Sequence, residues 1–174
     1  MSKDNIVLVG FMGAGKSVCG RLLARRLGRC FVETDEMITA TEGRSIPEIF
    51  AEKGEAHFRM LEDEVIRLLA LKRGDVIATG GGLPCAEGRL EALRSIGTVV
   101  WLGGDFATLY ERALRGGDRP MLRGKTREQA EALYEGRKAF YSRADLVVET
   151  AGLNPDQVAA RVAAALSARL RQAV

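Results

Sequence analysis

The sequence predicts an α/β fold: a five-stranded parallel sheet with helices on both of its faces. Three observations carry that prediction. Five short apolar stretches, rich in β-branched residues or bounded by turn signals, recur along the chain. Each is nearly continuous, as expected for strands buried on both faces. Helical periodicity fills most of the intervals, and alternating strands and helices build a parallel sheet.

The first strand is Ile6–Val9, followed by a helix over Lys16–Leu27 with Cys19, Leu22, Leu23 and Leu27 on one stripe. The second strand is Cys30–Val32, and a helix over Glu55–Leu71 carries Phe58, Leu61, Val65, Leu68 and Leu69. Val76–Thr79 and Thr98–Leu102 are the third and fourth strands. A helix over Arg127–Tyr141 aligns Leu133, Tyr134 and Tyr141. Leu146–Val148 is the fifth strand, and Pro155–Leu170 repeats Val158, Val162, Leu166 and Leu170 at helical spacing. Residues 115–125, RGGDRPMLRGK, combine three glycines, a proline and four basic residues and read as a mobile loop.

With 174 residues the chain fits one domain, and no repeat, low-complexity tract or linker divides it. Apolar residues at 47% and charged residues at 28% argue against disorder. The apolar runs are too short to span a bilayer, and the start has no long apolar region of the secretory type. A cytoplasmic protein with no membrane partner is the expectation. The net charge of +3 is too mild to imply nucleic acid, and aromatics at 6% leave no basic stripe interleaved with stacking residues. Twenty arginines against six lysines suit bidentate capture of carboxylates and phosphates, although a GC-rich genome also produces that bias. Cys19, Cys30 and Cys85 are odd in number and far apart, so neither a zinc site nor a disulfide framework is expected.

Gly10-Phe11-Met12-Gly13-Ala14-Gly15-Lys16-Ser17 fits the pattern G-x-x-x-x-G-K-[ST], between a strand and an amphipathic helix. The glycines let the backbone turn tightly and approach phosphate oxygens. The freed N–H groups and the helix dipole make an anion nest. Lys16 supplies charge to the outer phosphates, and the Ser17 hydroxyl is a ligand for Mg²⁺. Such a loop specifies a nucleotide and leaves the reaction open.

Three further features bear on the reaction. Glu33 and Asp35 stand two apart at the carboxyl end of the second strand, where spacing places them on one side. One suits a water-mediated Mg²⁺ contact and the other a hydroxyl proton, or both are acids that start a helix. Gly80-Gly81-Gly82 follows the third strand and leaves bare backbone for a close ligand, or simply a tight loop. Arg59, Arg137 and Arg119 suit an anionic substrate or transition state, and spacing alone does not show that they converge.

Taken together, these motifs resemble shikimate kinase over essentially the whole chain. The matching pieces are GFMGAGKS (10–17), ETDEMI (33–38), SIPEIF (45–50), GEAHFRMLE (54–62), VIATGGGLP (76–84), RPML (119–122), EGRKAFY (135–141) and LNPDQVA (153–159). The resemblance implies a three-layer P-loop sandwich of the nucleoside-monophosphate-kinase type, with strand order 2-3-1-4-5. It implies ATP and Mg²⁺ as cofactors, and transfer of the γ-phosphoryl group to the 3-hydroxyl of shikimate in chorismate and aromatic amino-acid biosynthesis. ATP would meet Gly13, Ala14, Gly15, Lys16, Ser17 and Val18, with Arg119 at the phosphates and Pro155 at the adenine. Either Arg112 or Arg115 would face the other side of the base. Shikimate would meet Asp35, Arg59, Gly80, Gly81, Gly82 and Arg137. The catalytic residues would be Asp35 as base, Lys16 and Arg119, and the metal residues Ser17 and Glu33. A shikimate-binding helical segment at about 35–62 and a lid at about 115–125 are also implied, as is a monomer.

The sequence departs from the family at Glu33, where Asp is usual. Glu keeps the charge and reaches one methylene further. Two other readings remain at this point: a gluconate kinase of similar architecture, and a nucleotide-dependent regulatory module without transfer chemistry.

Overall fold

A computed structural model describes residues 5–116, 122 and 124–172. Among these the strands are β1 (Asn5–Val9), β2 (Phe31–Glu33), β3 (Val76–Ala78), β4 (Gly97–Gly103) and β5 (Leu146–Glu149). They form one parallel sheet in the order β2-β3-β1-β4-β5. The helices that flank it are α1 (Lys16–Leu27), α2 (Thr34–Glu42), α3 (Ile46–Leu69), α4 (Arg89–Ile96), α5 (Phe106–Arg115), α6 (Arg127–Tyr141) and α7 (Pro155–Gln172).

The central position of β1 follows from its residues. Val7, Leu8 and Val9 have no exposed surface, because β3 and β4 pair with it on either edge and helices cover it. The apolar run therefore reads as a fully buried strand. Its one polar residue, Asn5, is also fully buried and has all its partners. Its amide donates to the carbonyls of Lys72 (3.0 Å) and Ile96 (3.2 Å), and its carbonyl accepts the Asp75 N–H at 3.0 Å. One side chain thus ties together the entrances of β1, β3 and β4 at the sheet edge opposite the phosphate loop. Helix α1 packs against both the sheet and α7. Gly20 makes that approach possible, since a Cβ there would enter the Phe31 ring.

The expected strands are present, with ends displaced by a residue. β2 is Phe31–Glu33 rather than Cys30–Val32, β3 ends at Ala78, and β4 extends to Gly97–Gly103. The helix expected from Glu55 begins earlier, at Ile46. Ser45 and Glu48 form a capping box there, and Gly54 (φ 77°, ψ 175°) breaks the helix into two segments. The second segment is the one whose periodicity is legible. No helix was expected from periodicity at α2, α4 or α5, although α2 lies at the start of the helical segment that the resemblance implies at about 35–62. α5 is headed by Asp105, whose carboxylate accepts the Thr108 N–H at 2.9 Å, and it buries Phe106, Leu109 and Ala113. Among the described residues no helix is long and apolar enough to cross a membrane.

Candidate active site

The phosphate loop leaves β1 at the middle of the sheet's carboxyl edge, where ligands bind in open α/β sheets. Phe11 anchors it. Its ring is fully buried and meets the edges of Phe106 and Tyr134, at centroid distances of 6.5 and 5.3 Å. Gly13 has φ 81°, and a Cβ there would enter the carbonyl of Leu109 in α5. No other residue type fits that position. Gly15 caps α1 in the left-handed conformation, so the first N–H groups of the helix face the loop. The Lys16 ammonium donates to the carbonyls of Gly10 (2.7 Å) and Phe11 (3.1 Å), which holds it over the loop. Ala14 is buried, whereas Val18 is exposed at the rim.

Glu33 and Asp35 do not share a strand face. β2 ends at Glu33 and α2 begins at Thr34, so the alternation of a strand stops between them. The Glu33 carboxylate accepts the Ser17 hydroxyl and is held from its other oxygen by Arg21 at 3.2 Å. Arg21 also pairs with Glu36 and stacks on Phe31. Asp35, in the first turn of α2, lies against the triple glycine: its Oδ1 is 2.5 Å from the point a Cβ on Gly80 would occupy. Between the two acids, the buried Thr34 hydroxyl accepts the Gly80 N–H at 2.9 Å and joins α2 to the glycine loop.

Beside the phosphate loop is a cavity of about 330 Å³, bounded by Met12, the triple glycine, α2, α3 and α6. Ile46, Pro47, Phe50 and Phe58 make its apolar wall. Asp35 is at one side of it. Arg59 and Arg137 flank Gly82, 3.0 and 3.1 Å from the position its Cβ would take. The two guanidiniums, 78 positions apart in the chain by their numbering, thus converge on one glycine. Arg137 is only 6% exposed and lies over the Phe11 ring. Burial works against the charge of Arg59, but Glu62 and Glu55 outweigh it and hold its pKa above the ordinary value. Two cations and a carboxylate around an apolar wall fit a small hydroxylated acid.

Behind these residues is a set that the sequence did not single out. Glu62, 1% exposed, accepts from Arg59 (2.8 Å) and from Arg89 (2.6 Å). The Tyr141 hydroxyl donates to the Gly81 carbonyl at 2.5 Å. Glu62 ends the GEAHFRMLE stretch, and Tyr141 is on a helical stripe, but nothing local marks Arg89.

Around residues 150–155, Arg112 reaches the Thr150 hydroxyl at 3.4 Å, and the Cys19 thiol reaches the Pro155 carbonyl at 3.8 Å. Arg115 instead pairs with Glu111 at 3.4 Å, in solvent. Of the two arginines considered for the adenine, Arg112 is the one beside the Pro155 loop. Asn154 caps α7 through reciprocal 2.9 Å bonds with Gln157. Burial pushes the Cys19 thiol up to about 11, which fits a small side chain filling the buried stripe of α1. Arg119 and most of the loop at 115–125 lie outside the described residues.

A family model described as shikimate kinase matches residues 12–167. A shikimate kinase of Persephonella marina is 42% identical over 154 residues, covering 88% of this chain and 93% of that protein. One from Symbiobacterium thermophilum is 48% identical over 143 residues, covering 80% and 82%. The structure of the Acinetobacter baumannii shikimate kinase in complex with shikimate superposes with a TM-score of 0.90, at 34% identity and with 95% and 94% of the two chains covered. A deoxyadenosine kinase from M. mycoides, at 18% identity and a TM-score of 0.64, shares the fold. The chain belongs to the shikimate kinase family.

Proposed function

We propose that this chain transfers the γ-phosphoryl group of ATP to the 3-hydroxyl of shikimate, giving 3-phosphoshikimate and ADP in chorismate and aromatic amino-acid biosynthesis. One observation carries the reading: Arg59 and Arg137 meet across Gly82 in a cavity that opens onto the phosphate loop and holds Asp35. Membership of the family makes the chain an ATP-dependent phosphotransferase. The same reading has it act in the cytoplasm as a monomer.

The two guanidiniums bind the shikimate carboxylate and set the direction of the ring. The apolar wall of Phe50 and Phe58 covers the ring and excludes water. Asp35 accepts the proton of the hydroxyl as its oxygen bonds to the γ-phosphorus. The bond from phosphorus to the β–γ bridging oxygen breaks, and its electron pair leaves with ADP. Lys16 and the loop N–H groups hold the phosphates in line, and positioning with charge stabilisation supplies most of the catalysis. In this reading Arg119, outside the described residues, adds positive charge at the transferring group. Arg112 and Pro155 flank the adenine.

Ser17 and Glu33 are the residues that would hold Mg²⁺. Their hydroxyl and carboxylate oxygens already meet, and hard oxygen donors of this kind suit Mg²⁺. The chemistry that Mg²⁺ would supply there is neutralisation of phosphate charge.

The test is ADP release from MgATP with shikimate, with gluconate, and with neither. Release that depends on shikimate supports the reading. Release driven by gluconate, or by no acceptor, overturns the roles of Asp35, Arg59 and Arg137 and leaves the nucleotide site standing.

A further inference from the structure

Arg89 takes part in no motif, yet it is among the most buried charges of the described residues, at 8% exposure. It is the first residue of α4, where the segment that begins with the triple glycine ends. Its guanidinium makes three bonds to α3, at positions 59, 62 and 63. Nη1 donates to Glu62 Oε2 at 2.6 Å, Nε to Asp63 Oδ1 at 2.8 Å, and Nη2 to the backbone carbonyl of Arg59 at 2.7 Å. The carboxylate oxygen it takes from Glu62 is the one that Arg59 uses, at 2.8 Å.

This sharing has an electrostatic consequence. A carboxylate as deeply buried as Glu62 must have its charge offset. With Arg59 as its sole buried partner, it would offset Arg59 in turn, and a substrate anion would meet a guanidinium already neutralised. With Arg89 on the same oxygen, the one buried negative charge is divided between two positive ones. The other carboxylates of the network, Glu55 on Arg59 and Asp63 on Arg89, are more than half exposed and screened by solvent, so Arg59 keeps charge for an anion in the cavity. The bond to the Arg59 carbonyl also fixes the backbone from which that side chain projects. Both walls of the carboxylate end, the glycine segment and α3, are therefore joined by one residue.

We infer that Arg89 is a positioning residue for the acceptor carboxylate: it offsets Glu62 and fixes the Arg59 backbone, so that Arg59 stays oriented and charged toward the anion. This rests on the reading of Arg59 as a shikimate ligand. Arg89 itself is not among the residues that line the cavity.

The experiment compares wild type, Arg89→Gln and Arg89→Lys. It uses steady-state ADP release with each substrate varied, and calorimetric titration with shikimate. For Arg89→Gln, shikimate KM and Kd both rise about tenfold, while kcat and the KM for ATP stay within about twofold. Arg89→Lys, which keeps the charge beside Glu62, recovers most of the affinity. A purely structural role would lower kcat or the active fraction and leave shikimate Kd alone, and that result overturns the inference. So does an Arg89→Lys variant no better than Arg89→Gln. If Arg89→Gln fails to fold, Asp63→Asn decides, since Asp63 is half-exposed and, among the described residues, holds Arg89 Nε. A rise of about threefold in shikimate Kd with unchanged melting is then expected, and an unchanged Kd overturns the inference. A wild-type protein without shikimate-dependent ADP release overturns the functional reading and this inference with it. A responsive wild type with unresponsive variants overturns this inference alone.

Discussion

The hydroxyl of Tyr141 donates to the carbonyl of Gly81 across 60 positions of chain, at 2.5 Å. Tyr141 is fully buried, and burial pushes its pKa well above the ordinary phenol value, so it stays a donor through the physiological range. The bond pins the middle of the triple glycine to α6, the helix that also carries Arg137. Tyr141→Phe leaves the Gly81 carbonyl with the weaker Cys85 thiol, 3.5 Å away. Stability falls by about 1–3 kcal/mol, read from denaturant midpoints, and shikimate KM rises a few-fold. Unchanged midpoints and kinetics would show that the bond contributes nothing.

Asp35 and Lys16 separate by role. Asp35→Asn keeps the shape beside Gly80 and removes the proton acceptor, so kcat falls by about a hundredfold or more with shikimate binding nearly intact. Lys16→Ala removes the charge over the loop and weakens ATP binding as well as turnover. Near-normal turnover of Asp35→Asn would mean that the residue only positions the hydroxyl.

Gly80 and Gly82 give opposite kinetic signatures. A methyl group at Gly80 displaces the Asp35 carboxylate, so Gly80→Ala lowers kcat about tenfold or more. A methyl group at Gly82 pushes between Arg59 and Arg137, so Gly82→Ala raises the shikimate KM. Steady-state kinetics with shikimate varied distinguish the two, and identical signatures would contradict the geometry.

Glu33 accepts the Ser17 hydroxyl, and Arg21 holds its other oxygen. Glu33→Gln keeps both groups in reach with the charge removed. Half-maximal activation then needs several-fold more Mg²⁺, and Mg²⁺ protects the variant less against thermal unfolding in the presence of ADP. Shikimate affinity, measured by calorimetry, stays the same. An unchanged Mg²⁺ requirement would remove Glu33 from the metal site.

Cys19 gives a stability effect with a definite direction in pH. Burial raises its thiol from 9.0 to about 11, so the unfolded chain releases its proton before the folded one does. The contribution to stability is intact below pH 9 and is lost as pH rises through about 11. Denaturant midpoints therefore fall less between about pH 8 and about pH 10 for Cys19→Ala than for wild type. Parallel falls would place the thiol in a wetter environment than the structure shows.

The nucleotide half of the molecule was legible in the sequence because its chemistry is local. A phosphate nest needs glycines, a lysine and a hydroxyl within eight residues, and the strand before it and helix after it leave their own periodicities. The parallel sheet was legible for a related reason, since strands buried on both faces, such as Val7 to Val9, read as continuous apolar runs. α5 carried a signal in Asp105 and the spacing of Phe106, Leu109 and Ala113, but α4 is only eight residues long and begins at a glycine without a side-chain cap. The acceptor half depends on long-range convergence. Which side Asp35 faces was decided by the strand ending at Glu33. That Arg59 and Arg137 meet was decided by the close approach that a bare Gly82 permits. That Arg112 rather than Arg115 stands beside the Pro155 loop was decided by which face of α5 turns toward Thr150. Arg89 shows the limit most plainly: its charge can be read from the sequence, but its burial against Glu62 exists only once α3 and α4 are packed, because the partner that offsets a buried charge is supplied by the fold.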